Sequence, residues 1–291
     1  MPENRDVPSV TREDIAKGLR GVGLKAGDGV YVHASLSAFG HVEGGADTVV
    51  DAILDCIGPA GTAVFPTFTG DAVIAAILGV SGHAGAVILP EAADVDLDDL
   101  AGVKEAHIFT GAIPKAARRR DDFLKSNHPL YSICATGPLA AGIVAANEKY
   151  IFFSREDKDI YQLGCHGGKT LLLGVTHLAN SSIHLVSEFA GLAYKVQDRP
   201  YWKLTVKDFL AMSRDAQAEL LRLHCGMTLP YDIEKRYDRI EPELVKADAI
   251  RIGRIGAADV RLMRILDFLR VGLEAVAKNP WLLADKVSKE A

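Results

Sequence analysis

The sequence is poor in the features that mark several protein classes. Only four cysteines occur in 291 residues: Cys56, Cys134, Cys165 and Cys225. They form no CxxC pair and no cysteine–histidine spacing of a zinc finger, so they read as small buried apolar side chains in a reducing compartment. No apolar run approaches the ~20 residues needed to span a bilayer. The first ten residues, MPENRDVPSV, are polar and lack the apolar core of a signal peptide. These absences lead us to expect a cytoplasmic protein with no membrane partner. There is no basic excess either, since 33 Lys+Arg stand against 38 Asp+Glu, a net charge of −5. The electrostatic term that dominates nucleic-acid binding therefore has no global source, and no nucleic-acid partner is expected. Internal repeats and linkers rich in Pro, Gly or Ser are also missing. One domain over residues 9–291 is expected, behind a flexible tail of residues 1–8.

What is present is an ordinary globular composition, 48% hydrophobic and 24% charged. Twenty-seven glycines beside only 7% aromatic residues suggest many tight strand-to-helix turns. Thr11 followed by Asp14 is a variant capping box and opens a helix that runs through Leu19. GVYVHA (29–34) is a short β-branched and aromatic run, so a strand. Residues 46–57 repeat apolar side chains at helical spacing. Residues 62–65 read as a strand ending at Pro66, and LLLGV (171–175) as a buried strand. Helices are expected over 182–194, 206–224 and 259–276. Strands alternating with helices predict an α/β layered domain, a central mixed sheet flanked by helices.

Several familiar motifs fail on inspection. GCHGGKT (164–170) resembles a phosphate-binding loop, but the required first glycine falls on Leu163, and a strand rather than a helix follows. GVGLKAG (21–27) follows a helix and reads as a helix stop and turn. There is no HExxH and no GxSxG. The nine histidines have no metal spacing, so no metal is expected.

Three segments carry a chemical signal. In VHASLSAFGHVEGG (32–45) a strand runs into a small-residue turn and then a helix. Ser35 and Ser37 offer hydroxyls and amides, and glycines allow close approach, a construction that can receive an anionic or carbonyl-bearing ligand; on the local pattern alone an ordinary strand–helix turn is the favoured reading. In NHPLYSICATGP (127–138), Pro129 holds His128 extended, as a ligand contact or as a turn residue. In LLLGVTHLANSSIHLVSE (171–188), Asn180, Ser181 or Ser182 can cap a helix. His184 then lies in its first turn, where the macrodipole helps to keep an imidazole neutral and basic. Glu188 follows one turn later, able to orient His184 or to form a solvated pair with it. Arg118–Arg120 could meet a phosphate, and the acidic run at 91–99 a polycation. For both, the favoured reading is a solvated charged loop or helix face.

Four patches in order resemble the antibiotic N-acetyltransferase family of aminoglycoside 3-N-acetyltransferases. They are VHASLSAFGHVEGGADTVVDAILDCIGPAGTAVFPTFT (32–69), TGAIPKAARRRDDFLKSNHPLYSICATGP (110–138), GGKTLLLGVTHLANSSIHL (167–185) and IGRIGAADVRLM (252–263). The resemblance implies an α/β fold unlike the common GNAT acetyltransferases. It implies acetyl-CoA as co-substrate and direct transfer to a small-molecule amine, with a homodimer left open. His184 would be the general base, with Glu188 as its partner. CoA would be held by His33, Ser35, Leu36, Ser37, Phe39, Gly40, Thr67, His128 and Ser132, and the acceptor by Asn180, Ser181 and Glu188.

Departures accompany the likeness. The family's glutamate three residues after the histidine is Ser187 here, and Lys115, Lys125 and Ser181 stand where an acidic residue, arginine and threonine are usual. Residues 71–109 and 195–248 diverge as whole stretches, so the donor half reads as retained and the acceptor half as remodelled. Two alternatives stay open. One is a CoA-binding relative that is silent or acts on a different amine of a biosynthetic pathway. The other is a thiol-dependent acyl-enzyme using Cys134 or Cys165.

Overall fold

The computed structural model describes residues 9–78, 82–84, 87–89, 95–96, 99–102, 110–151, 156–192, 204–225 and 232–287. The stretch read as a tail, 1–8, and most of the acidic run 91–99 lie outside them. The chain opens with α1 (Arg12–Gly21), where Thr11 and Asp14 form the expected reciprocal capping box. Then come β1 (Gly29–Ala34), a 3-10 turn (Leu36–Phe39), α2 (Gly45–Ile57), β2 (Thr62–Pro66) and α3 (Gly70–Leu78). A small hairpin, β3 (Gly82–Ala84) and β4 (Val87–Leu89), precedes α4 (Ala112–Arg119), β5 (Leu124–Lys125), β6 (Ile133–Thr136) and α5 (Ala140–Asn147). Next are α6 (Asp159–Cys165), β7 (Lys169–Leu173), α7 (Ser182–Phe189), α8 (Val206–Ala211) and α9 (Arg214–Cys225). The chain finishes with β8 (Asp232–Lys235), α10 (Glu241–Lys246), β9 (Arg251–Ile255), β10 (Ala258–Arg264), α11 (Ile265–Lys278) and β11 (Ala284–Val287).

Seven strands form one mixed sheet in the order β5-β6-β2-β1-β7-β10-β9. β1 runs parallel to both β2 and β7, and the outer pairs are antiparallel. The period-2 alternation of the strands sorts the core. Val30 and Val32 of β1, with Leu171 and Leu173 of β7, pack beneath α1, α2 and α4. Tyr31 and Leu172 face the other way, beneath α5, α6, α7, α10 and α11. This is the layered α/β architecture the sequence predicts.

The topology also places a crevice. β1 and β7 are adjacent and parallel, yet α2 after β1 covers one face and α7 after β7 covers the other. Open α/β sheets bind ligands at such a switch point, outside the carboxyl ends of the strands.

Two sequence expectations need correction. Residues 259–276 are not one helix: Asp259, Val260, Arg261 and Leu262 alternate charged and apolar, and β10 pairs antiparallel with β7 before α11 begins at Ile265. The helix expected over 206–224 is two, parted at Met212–Ser213, where Met212 turns extended and the Ser213 hydroxyl accepts from the Ala216 amide. α7 ends at Phe189, short of the expected 194, and residues 193–194 lie outside those described.

The phosphate-loop look-alike has a structural task. The Lys169 ammonium donates to Asp28 Oδ2 at 2.5 Å and to the Gly23 carbonyl at 3.1 Å, tying the start of β7 to the turn before β1. Both side chains are largely buried, 14% and 9% exposed. Lys169→Ala leaves the Asp28 carboxylate without that partner and should cost about 1–3 kcal/mol in a urea titration. An unchanged midpoint would refute this role.

Candidate active site

A cleft of about 1130 Å³ opens at the carboxyl ends of β1 and β7. Its walls combine four pieces of chain. β1 and the following turn supply His33, Ser35, Leu36, Ser37 and Gly40; the approach to α7 and its first turn supply Asn180, Ser181 and His184. The N-terminal ends of α2 (Gly44, Gly45) and α4 (Gly111, Ala112) complete it, with Pro66 and Phe68 from the end of β2. Two helix starts therefore bring their amide-rich, electropositive ends to one cleft.

The turn after β1 is tightly built. The Ser35 amide donates to the Leu173 carbonyl at 2.9 Å, and the Ser35 and Ser37 hydroxyls lie 3.1 Å apart. Gly174, at φ +66, lets this turn approach β7: a Cβ there would stand 2.3 Å from the Ala38 Cβ.

His33 is 6% exposed, and its Nε2 accepts from the Ser181 amide at 3.2 Å, which leaves the proton on Nδ1. Burial, aided by nearby Lys158, pushes its pKa down to about 3, so the ring is neutral at physiological pH. His184 is the third residue of α7, half-buried on the cleft wall, with its ring edge-on to Tyr237 at 6.2 Å. The Asn180 carboxamide caps this helix, its Oδ1 accepting from the Ser182 amide at 2.9 Å.

The expected site residues thus divide. His33, Ser35, Leu36, Ser37, Gly40, Asn180, Ser181 and His184 share the cleft. Phe39 is 1% exposed and packs in the core under α1 and α2. Thr67 and Ser132 lie behind the cleft wall, their hydroxyls 3.1 Å apart, because strand alternation turns Thr67 away from the side shown by Pro66 and Phe68. His128 clamps its own turn: Nδ1 accepts the Leu130 and Tyr131 amides at 3.0 and 2.9 Å, and Nε2 meets the Tyr150 carbonyl at 3.1 Å. Glu188 stands one turn beyond His184 and off the cleft lining, in the field of Lys158, whose pKa burial lowers to about 8 against the pull of Asp159 and Glu188. Ser187 is buried and donates to the Ile183 carbonyl at 3.1 Å.

Arg118 is buried and donates to the Leu100 and Ala101 carbonyls, while Arg119 pairs with Asp47, and Arg120 with Asp51 and Asp122. Cys134 is 0% exposed, and burial drives its thiol up to about 12, unsuited to nucleophilic attack. Sequence reasoning overlooked the start of α4, although a glycine N-cap with Pro114 in the first turn is a helix-start signal. It also overlooked His177, which had no local signal.

A profile of the aminoglycoside 3-N-acetyltransferase family matches residues 31–277. The chain belongs to this family. Membership makes it an acyltransferase, as the sequence resemblance implied. It is 29% identical over 272 residues to aminoglycoside N(3)-acetyltransferase VIII of Streptomyces fradiae, covering 91% of each chain. It is 28% identical over 260 residues to aminoglycoside N(3)-acetyltransferase IX of Micromonospora chalcea, covering 86% of this chain and 87% of the relative. Its fold is similar to that of AAC-IIIb in binary complex with CoASH, with a TM-score of 0.63, 20% identity and coverage of 93% of this chain and 97% of the other.

Three buried histidines set an acid limit on the family member. Burial holds His33 and His128 near a pKa of about 3 and His177 near about 4, against an ordinary value of 6.5. Below the ordinary value the unfolded chain binds protons that the folded chain refuses, so stability is full above it and falls with pH. The loss reaches up to about 1.4 kcal/mol per pH unit for each histidine until the folded pKa is met. Urea midpoints should therefore drop steeply between about pH 7 and pH 5; a flat profile would contradict the neutral assignment.

Proposed function

We propose that this acyltransferase moves the acetyl group of acetyl-CoA directly to a primary amine of an aminoglycoside, with His184 as general base. The observation that carries this reading is His184 on the wall of the cleft between the ends of β1 and β7, a cleft it shares with the Ser35–Ser37 turn. The relatives' names support an aminoglycoside amine as acceptor, and the fold likeness to a CoASH complex supports CoA as donor.

The residues fit that donor. The cleft, about 1130 Å³, lies just beyond the upper end of the ~300–1,000 Å³ of ordinary small-molecule pockets, which supports a large ligand there. The starts of α2 and α4 offer amides and positive dipole ends to phosphate groups. An ammonium has no free electron pair, so the acceptor must lose a proton before or as it attacks. His184, near the positive end of the α7 dipole, is suited to take it in the neutral form. The nitrogen then bonds to the acetyl carbon, the carbon–sulfur bond breaks and the CoA thiolate leaves. Amides near the Ser35–Ser37 turn would stabilise the oxygen charge that develops between those events. No enzyme nucleophile is needed, because the thioester is already activated, and orientation of both substrates supplies much of the rate. Ser187, spent on the Ile183 carbonyl, leaves the carboxylate role to Glu188 or to another group, which favours a reshaped acceptor site as the second reading.

His184→Ala should lower turnover by about 10²–10⁴-fold in a thiol-release assay with acetyl-CoA and an aminoglycoside panel. CoA affinity, read by calorimetry, should stay unchanged. Unaltered turnover would remove His184 from the chemistry.

A further inference from the structure

We propose that His177, which lies off the cleft, is a positioning residue for the base: it holds the Asn180 carboxamide in the one orientation that caps the helix carrying His184. This rests on the reading of His184 above. His177 is 0% exposed and heads the 3-10 turn that leads into α7. Asn180 Nδ2 lies 3.1 Å from His177 Nδ1, and Asn180 Oδ1 accepts the Ser182 amide at 2.9 Å. A flipped carboxamide would set oxygen against the imidazole acceptor and NH₂ against the Ser182 N–H, so the two bonds together select one orientation.

The far side of the imidazole faces a carboxylate at a distance, without a hydrogen bond to it. With Nδ1 accepting, Nε2 carries the proton and faces Glu241 Oε2 at 3.5 Å. Glu241 opens α10 and is gripped by the Arg261 guanidinium of β10. The His177 amide donates to Asp238 Oδ1 at 2.8 Å, and Phe268 of α11 stacks on the ring with centroids 5.7 Å apart. Arg261, Glu241, His177 and Asn180 thus run in line to the first turn of α7, where the next amide, that of Ser181, meets His33. Glu241 and Asp238 belong to the stretch that diverges from the family pattern. His177 is therefore the joint through which that stretch braces the retained half of the cleft.

The consequence is a kinetic one, since a shift of about 1 Å in a reacting group can cost about 10²-fold in rate. His177→Phe keeps a ring against Phe268 and removes both polar contacts. It should lower kcat by about 10–100-fold, with the acetyl-CoA KM within about threefold. His177→Asn keeps an acceptor on the Nδ1 side and should recover most of kcat. His177→Phe combined with Asn180→Ala should be no slower than Asn180→Ala alone, because the two act through one bond. Amide hydrogen exchange at Ser182, read by NMR without substrates, should be fast in His177→Phe and protected in His177→Asn. If His177→Phe does not fold, His177→Gln, whose amide reaches the Nε2 side only, takes its place. A folded variant with unchanged kcat, additive effects with Asn180→Ala, or unchanged Ser182 protection would each overturn the proposal. Turnover surviving in His184→Ala would overturn the base instead and leave the exchange result standing.

Discussion

The parallel pairing of β1 with β7 is the constraint on which the rest depends. Five residue pairs, from Val30–Lys169 to Ala34–Leu173, bring two strand ends to the same level at the centre of the sheet. Each end then leaves toward the opposite face, and the space between the departing chains is the cleft. The register sets the chemistry as well. It puts His33 one residue from the end of β1, where its Nε2 meets the first turn of α7. A slip of one residue would turn His33 toward the α1–α2 face and bring an apolar side chain to that bond.

The polar groups around this junction share a preference for neutrality. His33 and His177 each contact a residue at the start of α7, and both lose basicity through burial. Each accepts a hydrogen bond, from the Ser181 amide and from Asn180 respectively, which only an unprotonated ring nitrogen can do. The helix start is thus held by neutral acceptors rather than by charges. His184, on the same turn, lines the cleft, and in the proposed reaction it is the imidazole that would meet an ammonium.

Much of this was legible in the chain. GVYVHA announced β1 by composition, LLLGV announced β7 by its apolar run, and the Thr11–Asp14 box marked α1. His184 in a first turn followed from Asn180 and the serines beside it. The losses have physical causes. β10 was hidden because Met263 and the helix behind it extend its apolar residues into a pattern with helical spacing. Phe39, Thr67, His128 and Ser132 sit within the matching patches, yet alternation, core packing and turn clamping direct them away from the cleft. Neighbours in a motif need not be neighbours in a site. His177 faces Glu241, which Arg261 grips, and both lie more than 60 residues away, a distance no local pattern spans.

The proposed function stands on direct transfer between two substrates held in one cleft, with His184 as the base on its wall. Initial velocities measured over a grid of acetyl-CoA and aminoglycoside concentrations test it most directly. Double-reciprocal lines that intersect are predicted, because both substrates must be bound before the acetyl group moves. Parallel lines, with acetyl-enzyme trapped when acetyl-CoA is supplied alone, would contradict it.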